Sequence, residues 1–166
     1  MSYTIFYWTH IVSYVAWLSA WATSFFLASK VRAEKNDRQK QLFMKWERLA
    51  TDTGAHLGAI GILISGGAMV SLPGGPQWGW FTVQLYPWLA LKQGIFVLIL
   101  VLIVLSMRRS SAFRKALKGK LEEAEKERTN DNIRRRWSSA YRMSLLVYLL
   151  VLINTFLGLV KPYLLG

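Results

Sequence analysis

Five side chains able to do chemistry sit in otherwise apolar sequence: His10, Asp52, His56, Lys92 and Asn154. Ionisable groups are costly inside hydrocarbon, so the four that titrate mark candidate functional positions. A lone imidazole in such surroundings has three uses. It can ligate haem iron opposite a Met, a Lys, a second His or water. It can carry a proton, or it can hydrogen-bond one helix to another. Asp52 and His56 are four residues apart and share a helix face. The carboxylate either orients the imidazole or, the preferred reading, starts a helix at the membrane interface. There are no cysteines, which excludes disulfides, iron–sulfur ligation and thiol nucleophiles. Two histidines without a thiolate argue against zinc. No hydrolase-type grouping and no phosphate loop occurs.

The elements that must position these groups are long apolar stretches. Residues 5–27, 53–72, 86–107 and 144–160 each approach the roughly 20 apolar residues that a spanning helix needs. The third contains the uninterrupted run Ile95–Leu105, which has no polar stripe of the kind a soluble surface helix shows. The first lacks a basic leader and is longer than a secretory signal core, so it reads as a span. Overall, 53% of the 166 residues are apolar or aromatic and only 18% are charged. A soluble domain carries roughly 25% charge near balance.

The charge is also one-sided. Of 21 Lys and Arg, 19 fall in the loops 30–48 and 108–142. By the positive-inside rule those loops are cytoplasmic and both termini face the other side. The net charge of +12 then reflects attraction to anionic lipid rather than nucleic acid. The acid-rich stretch Glu122–Glu127 is expected to extend the third helix inward, with Thr129–Asn132 turning the chain back. Gln41–Arg48 is expected to prolong the second helix. Pro73–Trp80 reads as a turn segment, and Trp78, Trp80, Tyr86 and Trp88 as an interfacial belt.

Depth sorts the polar groups. His10 and Lys92 lie roughly 8–9 Å from the outer edge of their spans at 1.5 Å per residue. Met69 lies in the same leaflet and His56 in the opposite one. His10 and His56 therefore differ in height by roughly 15 Å, too far apart to ligate one haem. Along the second span, Gly54, Gly58, Gly61 and Ser65 recur at three- and four-residue steps before Gly66 and Gly67. Small residues at that spacing admit either a neighbouring backbone or a flat ring.

Short motifs in all four spans resemble HemJ-type protoporphyrinogen oxidases and, more distantly, the CopD-like four-helix membrane proteins. They are His10-Ile11 with Trp17 seven residues after the His, Trp46-Glu47-Arg48-Leu49 with the later Gly66, and Trp88-Leu-Ala-Leu-Lys92. Tyr141-Arg142 and Val160-Lys161-Pro162-Tyr163 complete the order. The chain departs from the family at Ala90, where the family has a His, and near Ser24, where it has an Arg. Ser144–Tyr148 lacks the family's Asn-Glu-x-x-Pro, and His56 is additional.

The resemblance implies a b-type haem with His10 as axial ligand, Lys92 as the third-helix Lys and Trp17 as a cofactor contact. It does not imply protoporphyrinogen oxidation itself, because the residues that depart are those the reaction is expected to need. The expectation is thus an all-α integral membrane four-helix bundle, one domain over 1–166, in the cell inner membrane. Haem b would sit in the outer leaflet on His10, with Met69 or Lys92 opposite and Lys92 and Lys161 near the propionates. His56 is the alternative ligand. The expected function is electron transfer, or oxidation of a porphyrin or quinol-type substrate. The alternatives are a cofactor-free membrane subunit or assembly factor, and a CopD-like transport-related protein. Expected partners are the bilayer, a redox partner or larger membrane complex, and another copy of the chain.

Overall fold

The computed structural model describes residues 3–73, 81, 84, 86–119 and 126–164, with side chains for 3–73, 81, 84, 86–118 and 130–160. Helix α1 is Tyr3–Ala33 and α2 is Asp37–Leu49. A π-helical turn, Ala50–Ala55, leads without a break into α3, His56–Ser71. Helix α4 is Pro87–Gly119 and α5 is Lys126–Leu164. The described chain is all helical, and four helical stretches are long and apolar enough to cross a membrane: Tyr3–Ala33, Asp37–Ser71, Pro87–Lys118 and Asn130–Val160. Their outer faces carry large apolar side chains, among them Phe25 and Ile64 at 61% and 63% exposure. That much exposed hydrocarbon suits lipid rather than water as the surrounding solvent.

Helix α1 packs along α3, and α4 along α5. The α1–α3 seam uses the small-residue stripe. A Cβ built on Gly54 would lie 2.6 Å from the Cβ of Ala20, and one on Gly58 would lie 3.0 Å from the Ser13 carbonyl oxygen and the Trp17 backbone nitrogen. At these positions the stripe serves close helix packing. Two apolar clusters fill the interior. One, around Trp17, Ala59, Ile99, Ile103 and Val147, occupies the middle of the bundle. The other, around Val31, Met44, Phe113, Ile133 and Trp137, closes the basic end.

Two expectations change. Residues 129–132 do not turn the chain. They lie inside α5, where the side chains of Asn130 and Asn132 bond across and along helices. Asn130 donates to Asp37 Oδ2 (2.9 Å) and accepts from Gln41, and Asn132 accepts from Arg136 one turn on. Asp52 does not start a helix either. It lies within the π turn of a span that begins at Asp37, and its carboxylate accepts from Ser110 and Arg114 of α4. Glu122, Glu123, Glu125, Trp78 and Trp80 lie outside the described residues.

Candidate functional site

In the half of the bundle away from the basic end, the helices part around a cavity of about 380 Å³. That volume is within the range of small-molecule sites. His10 of α1, Gly66 and Gly67 of α3, Lys92 of α4, and Asn154 and Gly158 of α5 all line it. The structure thus brings His10 and Lys92 to one chamber. Met69 and Trp17 are not among its lining residues. Trp17 is fully buried beneath it, edge-on to Tyr14 and Tyr148 at centroid distances of 5.9 and 5.8 Å. The side chain of Lys161 lies outside the described set.

His10 is held by α3. Its Nδ1 lies 2.9 Å from Ser65 Oγ. The Ser65 hydroxyl itself donates to the Gly61 carbonyl one turn back. A hydroxyl has a single proton, so with that proton on Gly61 the oxygen accepts from His10. That arrangement corresponds to the Nδ1–H tautomer, which leaves the lone pair on Nε2. A Cβ on Gly66 would meet the His10 ring at 3.4 Å, ordinary van der Waals contact, so the imidazole lies beside α3 at Gly66 without depending on the glycine. Across the chamber, Lys92 Nζ reaches 2.7 Å from where a Cβ on Gly158 would stand. The Tyr14 hydroxyl and Asn154 Oδ1 are buried without a hydrogen-bond partner, and both residues line the cavity. Orphaned polar atoms are costly in a dry interior, and a ligand would relieve that cost.

His56 is placed elsewhere. It sits nine residues from Ser65 along α3, about 14 Å at helical rise. It is 1% exposed, and neither ring nitrogen has a hydrogen-bond partner. Its Nδ1 is 3.5 Å from Asp52 Oδ1, longer than a good hydrogen bond. Among the described residues no group of three or more His, Cys, Asp or Glu is placed to hold a metal ion.

Toward the basic end the interior is tied by a second polar assembly, which sequence reasoning met only as the motif Glu47-Arg48. Both side chains are buried, at 0% and 1% exposure. The guanidinium donates twice to the neighbouring carboxylate, at 2.7 and 2.6 Å. Glu47 also accepts from Ser24 of α1 (2.7 Å), Thr51 (3.0 Å) and Trp137 Nε1 of α5 (2.9 Å). Arg48 reaches Ser144 of α5, which lies 3.0 Å from Ser106 of α4. The available signal was depth. Ser24, Thr51, Ser106 and Ser144 are small polar residues near the basic end of each span.

Comparison of the chain with family models, with curated proteins and with solved structures finds no match.

Proposed function

We propose that the chain is a haem b-binding protein of the inner membrane, distantly related to the HemJ and CopD-like families. Both termini face the non-cytoplasmic side, and the cavity opens in the outer leaflet. Its function is electron transfer, or oxidation of a porphyrin or quinol-type substrate. The observation that carries the reading is the fixed imidazole. Ser65 lies within hydrogen-bond reach of Nδ1, and in the Nδ1–H tautomer this leaves Nε2 of His10 free to act as a ligand, beside a cavity of ligand size. The donor set fits a haem better than a bare metal ion, which needs more ligands than one ring.

Haem bound there would supply one-electron chemistry at a potential set by its axial ligands and burial. The chain's own residues do the rest. Ser65 orients the ring, Lys92 places a cation at the chamber's edge for a propionate, and the apolar walls exclude water.

A haem assay in pyridine and alkali, on protein purified from haem-replete cells, tests the reading. Near-stoichiometric haem is expected, lost in His10→Ala and retained in His56→Ala. In Ser65→Ala the ring loses its orienting partner, and haem affinity falls about 10- to 100-fold. Colourless protein would defeat the proposal. It would leave His10 as a tether between α1 and α3 in a cofactor-free subunit, a reading favoured by the same Ser65 bond.

A further inference from the structure

A second cavity, of about 730 Å³, opens at the basic end between α2 and α4. Four cations line it: Arg38 and Lys45 on α2, Arg114 and Lys118 on α4. Its floor is apolar, made by Leu49, Phe113 and Leu117. One acid, Asp37, is also at the rim, with its carboxylate engaged by Asn130. Arg38, Lys45 and Lys118 are exposed and form no ion pair with a described residue. Arg114 is committed only in part. One nitrogen donates to Asp52 and another to Ser111, which leaves three of its five N–H donors.

A phosphate diester suits this arrangement, because several cations can converge on it while an attached hydrocarbon chain covers the floor. The surroundings say what kind of diester. Next to Leu49, the α2 surface continues through Trp46 and Leu42, each about half exposed at 52% and 49%. That gives an apolar path from the cavity to the lipid-facing side, with a Trp at the level where aromatic side chains meet headgroups. Cations around a pocket at the basic end of membrane helices form a headgroup site.

We infer that the α2–α4 cavity is a specific site for the headgroup of an anionic phospholipid of the leaflet at the basic end, with the glycerol and upper acyl chain on Leu49 and Leu117. The site is distinct from the outer cavity and holds whether or not that cavity takes haem. Because Arg114 serves both the cavity and Asp52, a bound headgroup also bears on the anchoring of the π turn to α4.

The test is thermal unfolding of the full chain in a neutral detergent, titrated with phosphatidylglycerol, phosphatidylcholine or inorganic phosphate. The midpoint is expected to rise saturably with phosphatidylglycerol and to stay flat with the other two. The triple variant Arg38→Gln, Lys45→Gln, Lys118→Gln should need about a hundredfold more phosphatidylglycerol for the same rise, about fivefold for each cation. All three positions are exposed, so the fold should tolerate it. The variant Arg134→Gln, Arg135→Gln, Arg142→Gln removes equal charge from exposed positions of α5 outside the cavity and should shift the titration less than twofold. An equal shift in both triples would replace the site by general charge attraction. An equal rise with inorganic phosphate would make it an anion site without lipid specificity. No rise with phosphatidylglycerol would eliminate it.

Discussion

Near the basic end, all four spans send polar side chains inward and those of the Glu47–Arg48 assembly are joined. Ser24, Glu47, Arg48, Thr51, Ser106, Trp137 and Ser144 form one connected set. In the opposite half, polar side chains also point inward, but Tyr14 Oη and Asn154 Oδ1 end at a cavity without partners. One half has spent its polar groups on holding helices together. The other keeps them facing a space. In hydrocarbon both arrangements are expensive unless satisfied, so the difference reads as a division between a lock and a receptacle.

The strongest way to break that contrast is to open the lock. Glu47→Ala leaves the Arg48 guanidinium buried with its bidentate partner gone, and orphans the Trp137 N–H. Removing one member of a buried pair costs about 3–5 kcal/mol. The variant should lose most of its thermal resistance in detergent, or fail to purify as a folded monodisperse species. Glu47→Gln keeps an acceptor for Ser24 and Trp137 and should fall between Ala and wild type. If Glu47→Ala unfolds at the wild-type temperature, the assembly is no lock.

The second prediction concerns the seam that serves both halves. Gly54→Ala would set two Cβ atoms 2.6 Å apart, on helices that cannot slide independently. Overpacking of this kind costs about 1–3 kcal/mol, read as a lower unfolding midpoint.

The sequence carried the spans because hydrophobic length and charge asymmetry are local properties. It carried His10 and Lys92 as neighbours because depth along a helix follows from residue count. It did not carry the role of Ser65, since a Ser in a row of glycines reads equally as packing. It misplaced Asp52 for a physical reason. An acid at the edge of an apolar run looks like a helix start, and only the inward extension of α2 through the π turn, with Ser110 and Arg114 opposite, turns it into an interhelical anchor. Glu47 and Arg48 passed as a motif because adjacent helical residues ordinarily point apart, and nothing local shows that both are buried.

His56 stands apart from the joined assembly, a buried ring with no hydrogen bond at either nitrogen, beside an Asp52 Oδ1 that has none either. Replacing an unsatisfied buried polar group with an apolar one of similar size removes its desolvation penalty. His56→Leu should therefore raise stability by about 1 kcal/mol, measured in the same detergent melt, with haem content unchanged. A loss of stability would mean that the Asp52–His56 contact at 3.5 Å binds the π turn as a charged pair.

The smallest expected effect is the sharpest test of the two halves. A Cβ on Gly158 would lie 2.7 Å from its nearest neighbour, almost the 2.6 Å found at Gly54. The two contacts differ in what must move. At Gly54 the neighbour is the Cβ of Ala20, fixed to a packed backbone. At Gly158 it is Lys92 Nζ, the end of a side chain with four rotatable bonds beside a cavity. Alanine also favours helix over glycine by up to about 1 kcal/mol, which offsets the displacement. Gly158→Ala should thus unfold within about 0.5 kcal/mol of wild type, while Gly54→Ala does not. What Gly158→Ala should change is the receptacle. The new methyl group narrows the chamber and pushes the ammonium aside, so retention through dialysis of the haem proposed for it should drop although the melt does not. A Gly158→Ala protein as unstable as Gly54→Ala would show that the cavity is packed as tightly as the α1–α3 seam, and the division between lock and receptacle would fall.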